Sequence, residues 1–134
     1  MLLNPYRFGP VIADSAQVVL AHTNTPYLAI YNTSDFSKVA NPATLPASTA
    51  NGVAFNPSGT LMAAAHSGSP FVSIYNVSDW SKITNPVNLP ASTANGVAFG
   101  PDGSKLAVAH GLSPFVTIYN TSDWSKVANP RLVS

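Results

Sequence analysis

Three histidines, three aspartate–lysine pairs and three aromatic residues recur at one fixed spacing, and these are the side chains through which the chain could do chemistry. His22, His66 and His110 step by 44 residues. One imidazole per repeated unit would form a ring able to bind a metal or to titrate near its ordinary pKa of about 6.5. No carboxylate stands at a spacing that would serve as a metal's outer shell. The preferred reading is therefore structural, each histidine being held by its adjoining turn, and no metal or other cofactor is expected. Asp35, Asp79 and Asp123 are each followed three residues later by Lys38, Lys82 or Lys126. Acid–base catalysis needs groups in unlike environments, and repeated copies supply like ones. An aspartate in a turn more commonly holds backbone N–H groups, with the lysine as a solvated neighbour.

Phe36, Trp80 and Trp124 stand directly after those aspartates. An aromatic face beside carboxylates and amides is the mixture that sugar recognition uses, so these six residues form the candidate ligand-binding set. Packing between repeated units is the preferred alternative, because Phe at position 36 preserves packing better than a specific indole contact. No G-x-S-x-G elbow, phosphate loop or His-Glu-x-x-His helix occurs, and the chain has no Glu. No catalytic residue is named and an enzyme is not expected.

The elements that must position these residues follow from composition and repetition. The 134 residues are 46% apolar and carry a net charge of +1, which suits one globular domain and supplies no field for nucleic acid or an anionic membrane. No run approaches the roughly 18 apolar residues of a membrane span, and Met1-Leu2-Leu3 is too short for the apolar core of a signal peptide. The chain therefore reads as soluble, with its location otherwise open. It has no Cys, but 12 Pro and 8 Gly, too many breakers for long helices. AIYNTSDFSKVANP returns as SIYNVSDWSKITNP and as TIYNTSDWSKVANP, and LPASTANGVAF occurs twice unchanged. Repeats fall at about 16–50, 51–94 and 95–134 within a single domain spanning 1–134.

Within a repeat, Asn51 to Phe55 and Leu61 to His66 read as strands joined by the turn Asn56-Pro57-Ser58-Gly59. Ser67-Gly68-Ser69-Pro70 leads into a third strand, Phe71 to Asn76, rich in β-branched and aromatic residues. Trp80 to Leu89, interrupted by Pro86, predicts a weaker fourth strand at an edge. Four short strands in about 40–45 residues are the signature of a β-propeller blade, which buries its faces only against its neighbours. The fold expected is all-β, a propeller of four-stranded blades with about three blades per chain.

NGVAFGPDGSKLAVAH followed by SPFVTIYN resembles the WD-repeat class of propeller from Val18 onward. Tyr75-Asn76 and Tyr119-Asn120 stand where that family has Trp-Asp, and Asn51-Gly52 and Asn95-Gly96 near its Gly-His, so its Asp–His network does not carry over. The repeats are also similar to propeller repeats in bacteriophage-encoded proteins, which implies a viral setting with other virion proteins or surface glycans as partners. Closed propellers have about 4–8 blades, and three cannot close. Self-association is expected to complete the ring: a homodimer gives six blades, and a trimer, the other arrangement considered, gives nine. Residues 1–15 or the C-terminal segment could supply a latch strand to the second copy. The functional expectation is a self-assembling scaffold for protein contacts. The alternatives are a glycan-binding adhesin with one weak site per blade and, more distantly, an enzyme with a site assembled across blades.

Overall fold

In the computed structural model, which describes residues 16–130, eight strands form three small antiparallel sheets, with no helix among the described residues. The first sheet pairs β1 (Gln17–Ala21) with β2 (Leu28–Asn32). The second is β3 (Ala50–Phe55), β4 (Leu61–His66) and β5 (Val72–Asn76), in that order. The third, β6 (Ala94–Phe99), β7 (Lys105–His110) and β8 (Val116–Asn120), repeats it with every strand displaced by 44 residues. The sequence period is thus a period of structure. Of the two alternative latch segments, residues 1–15 lie outside the described residues, as do the last four residues of 126–134.

The turns follow from their chemistry. Gly59 closes the β3–β4 turn with φ 75° and donates to the Asn56 carbonyl at 3.0 Å, while the Asn56 side chain accepts from Leu61 N, also at 3.0 Å. Gly103 does the same work between β6 and β7, at φ 79° and 2.9 Å from the Gly100 carbonyl. Left-handed backbone of this kind carries no steric cost for glycine. A one-residue bulge at Asn51 frees its side chain, which donates to the Ala94 carbonyl of the third sheet at 2.9 Å.

The expected fourth strand is not a strand. It is reduced to one bridging pair per repeat, Tyr31 with Lys38, Tyr75 with Lys82 and Tyr119 with Lys126. In the middle repeat Asn76 N donates to Ser81 O at 2.9 Å and Ile83 N to Ile74 O at 2.7 Å. Beyond Ile83 comes Asn85-Pro86, and a proline neither donates to a ladder nor leaves the preceding residue free. The sheets of the second and third repeats are therefore three-stranded, not four-stranded.

Alternation along the strands gives every sheet two apolar faces. Val19, Leu28 and Ile30 of the first sheet meet Met62, Ala64 and Tyr75 of the second in one buried cluster. The opposite face of the second sheet, Ala63, Ala65, Val72 and Ile74, meets Leu106, Val108 and Tyr119 of the third. The middle sheet is consequently sealed on both sides, and β4 is buried throughout after Leu61. Small alanines in β4 let neighbouring sheets approach closely. At Gly52 a Cβ would stand 3.5 Å from the Gly96 Cα, so β3 and β6 lie side by side at backbone range.

Candidate functional site

The repeated aspartate, aromatic and lysine residues form one turn. In Asn76-Val77-Ser78-Asp79-Trp80-Ser81, Trp80 N donates to Asn76 O at 2.7 Å, and Asp79 Oδ1 accepts from Ser81 N at 3.0 Å and Ser81 Oγ at 2.7 Å. Asp35 with Ser37 and Asp123 with Ser125 repeat the pattern. The serine hydroxyl, then its backbone N–H, hold each of these carboxylates below the ordinary value of 3.8. The lysines turn away from the aspartates: Lys38 donates to Asn41 Oδ1 at 2.7 Å, and Lys82 and Lys126 to Asn85 and Asn129. The amide three residues on, a partner unremarked in the sequence reading, takes the ammonium. One such turn caps each sheet, so the three aspartates are not brought together.

The aromatic residue of this turn sits at φ 58° in Phe36 and Trp80 and 61° in Trp124, a strained region for a bulky side chain. Trp80 is 6% exposed within the cluster joining the first two sheets, and its Nε1 donates to Gln17 Oε1 at 3.2 Å. Its ring tilts at 50° to that of Tyr75, with centroids 6.3 Å apart. Tyr75, fully buried, donates its hydroxyl to the Thr44 carbonyl at 2.8 Å, and burial pushes its pKa up to about 12. Trp124 packs, partly buried, on the cluster between the second and third sheets. Phe36 is 76% exposed. Trp80 and Trp124 each face the sheet before their own, and among the described residues no sheet precedes that of Phe36.

His66 and His110 are buried, and a hydroxyl on the next strand meets each. His66 Nε2 lies 2.9 Å from Ser73 Oγ, and His110 Nε2 lies 2.9 Å from Thr117 Oγ1. At the matching position the first repeat has Ala29, and His22 is partly exposed. A serine beside a histidine suggests a nucleophile and base, yet Ser73 and His66 are sealed from solvent, so no substrate reaches them. No group of three or more His or carboxylate side chains among the described residues could hold a metal.

Burial pulls the pKa of His66 below 6.5, and the charge of Lys82 adds to the effect. As pH falls through 6.5 the unfolded chain takes up a proton that the folded chain still refuses, so stability falls with it. The aspartates act lower: their contribution is complete above the unfolded value of 3.8 and is lost as pH falls through their depressed folded values. Urea midpoints should therefore decline first below about pH 6.5 and again below about pH 4. A midpoint unchanged between pH 7.5 and 5 would contradict the histidine assignment.

Two clefts open beside these turns. One, of about 420 Å³, is lined by Trp124, Asp123 and Ser125 with Asn85, Pro86 and Asn88 of the preceding repeat. The other, of about 560 Å³, lies between the first two sheets and carries amides and hydroxyls from Gln17, Asn32, Thr60, Asn76 and Ser78. Its residues were not marked in the sequence, because Gln17 and Asn32 meet Thr60 and Asn76 only through the stacking of two sheets.

No family model matches the chain, and no curated protein matches it. Among solved structures it is similar to the hydrazine synthase of Kuenenia stuttgartiensis, with a TM-score of 0.65 and 17% sequence identity, over 75% of this chain and 28% of that one. The chain thus spans little more than a quarter of that neighbour's length. At such identity the likeness concerns the fold alone, since one architecture hosts many activities.

Proposed function

We propose that the chain is a propeller-type scaffold, each sheet being one blade, that assembles with a second copy into a six-bladed ring and acts through binding and not through catalysis. The observation that carries this reading is the asymmetry of burial. Among the described residues the middle sheet hides both faces, whereas each terminal sheet leaves one apolar face open, with Val18 41% and Leu20 51% exposed at one end and Phe115, in the turn before β8, 59% exposed at the other. Contiguous apolar faces of this kind are uncommon on soluble monomers and mark association. Two copies supply six sheets, inside the range of about 4–8 in which propellers close, and three copies overshoot it. Closure also ends growth, where an open stack would lengthen into a fibre. Negative-stain electron microscopy tests the reading. Six-lobed discs with a central opening are expected; isolated three-lobed particles or filaments would overturn it.

A second reading, a glycan-binding module, draws on the cleft in which the Trp124 ring stands beside Asp123, Asn85 and Asn88. Glycan-array binding lost in Trp124→Ala, with the assembly unchanged, would carry it. Loss of assembly in that variant would assign the ring to packing.

A further inference from the structure

We infer that the two open sheet faces are the two halves of one interface, so that the β1–β2 sheet of one copy docks on the β6–β8 sheet of another in the geometry already used twice inside the chain. This rests on the ring reading and specifies which surfaces meet, in which order and through which residues. The open face of the third sheet consists of Ala107, Ala109, Val116 and Ile118. One period earlier stand Ala63, Ala65, Val72 and Ile74, the same four residue types in the same order, and there they are buried against the third sheet. The surface these four cover is made by Leu106, Val108 and Tyr119. Two periods before those three stand Val18, Leu20 and Tyr31, the open face of the first sheet.

The composition of the two sets is also the same, Val and Leu having exchanged places between positions 18 and 20 and positions 106 and 108. Total volume is thereby conserved, the kind of change that packed interfaces tolerate best. The open faces of the third and first sheets thus carry the pair of compositions that pack inside the chain between the second and third. No such correspondence links either open face to itself, which makes the contact head-to-tail.

The same step of the period completes the exposed turn. Trp80 lies over Gln17, and the residues matching Gln17 are Leu61 and Lys105. Phe36, in Trp80's place, therefore meets Lys105 of a second copy, whose stem and ammonium suit an aromatic face. Phe36 keeps the strained backbone of Trp80, φ 58° in both, although its ring is 76% exposed. Docking of the second copy supplies the burial that Trp80 finds internally.

The test uses full-length chains with one face altered in each, Leu20→Lys and Ala109→Asp, observed by light scattering alone and mixed. Both positions lie on open faces, and circular dichroism confirms folding; Val18→Lys with Val116→Asp is the replacement pair if either variant fails to fold. Each variant alone is expected at the 14.0 kDa of one chain, and the mixture at twice that mass, because one unaltered junction remains and the other sets lysine against aspartate. An isologous contact through either face would instead let the one variant that keeps that face intact dimerise alone, and that result overturns the inference. If the unaltered chain dimerises while both variants remain dimers, the register fails and the self-assembly reading stands. If the unaltered chain is itself monomeric, both fail.

Discussion

Trp80→Ala is expected to cost the chain about 3–5 kcal/mol, the range for removing a buried aromatic ring from a core. The loss combines the indole's burial, its contact with Tyr75 and its hydrogen bond to Gln17, whose amide oxygen would lose that donor. A domain of this size should lose on the order of 10–20 °C in melting temperature. The same substitution at the matching positions separates the chain from its assembly. Trp124→Ala should cost less, because that ring is only partly buried. Phe36→Ala should shift the stability of an isolated chain by no more than about 0.5 kcal/mol, as exposed positions do. Its effect should appear in association, as a loss that grows with protein concentration, whereas the Trp80→Ala loss is independent of it. Urea unfolding at several concentrations reads both. Equal losses in Phe36→Ala and Trp80→Ala at high dilution would contradict the placement of the two rings.

Ile74→Ala is the second large effect, about 2–5 kcal/mol for a cavity in a sealed site. Ile74 is 1% exposed between the second and third sheets. Ile118, its counterpart one period on, lies on the open face of the third sheet. Ile118→Ala should leave most of the dilute chain's stability in place and weaken dimerisation. Chemical unfolding paired with sedimentation of the two variants checks the contrast. Comparable destabilisation of the dilute chain by both would mean that the face bearing Ile118 is already covered within one copy.

Strands were legible in the sequence wherever β-branched and aromatic residues were bounded by Pro, Gly or Asn. Leu61–His66 begins and ends where its pattern places it, and Val72–Asn76 starts one residue after Phe71, which the turn takes at φ 72°. The fourth strand was over-read because Trp80 to Ile83 has strand-like residues, but with Pro86 close behind only one bridging pair forms, Tyr75 with Lys82. The hydroxyl partners of the histidines were hidden for another reason. Ser73 is seven residues from His66 and meets it only because β5 folds back on β4 with Ala64 opposite Ser73. Likewise Phe36 and Trp80 share one local sequence and one backbone conformation. Their opposite burial is set by packing between sheets, which local sequence does not encode.

The completeness of the middle sheet and the incompleteness of the outer two bear most directly on function. In β4 every residue from Met62 to His66 is buried by neighbours on both sides, and among the described residues the terminal sheets carry the same surfaces with one neighbour each. Native mass by multi-angle light scattering behind size exclusion, over a wide range of concentration, tests this most directly. A stable species at about 28 kDa, twice the 14.0 kDa chain, is the result expected for a ring closed by two copies. A chain that stays at 14.0 kDa at every concentration, or one that grows without limit, would contradict it.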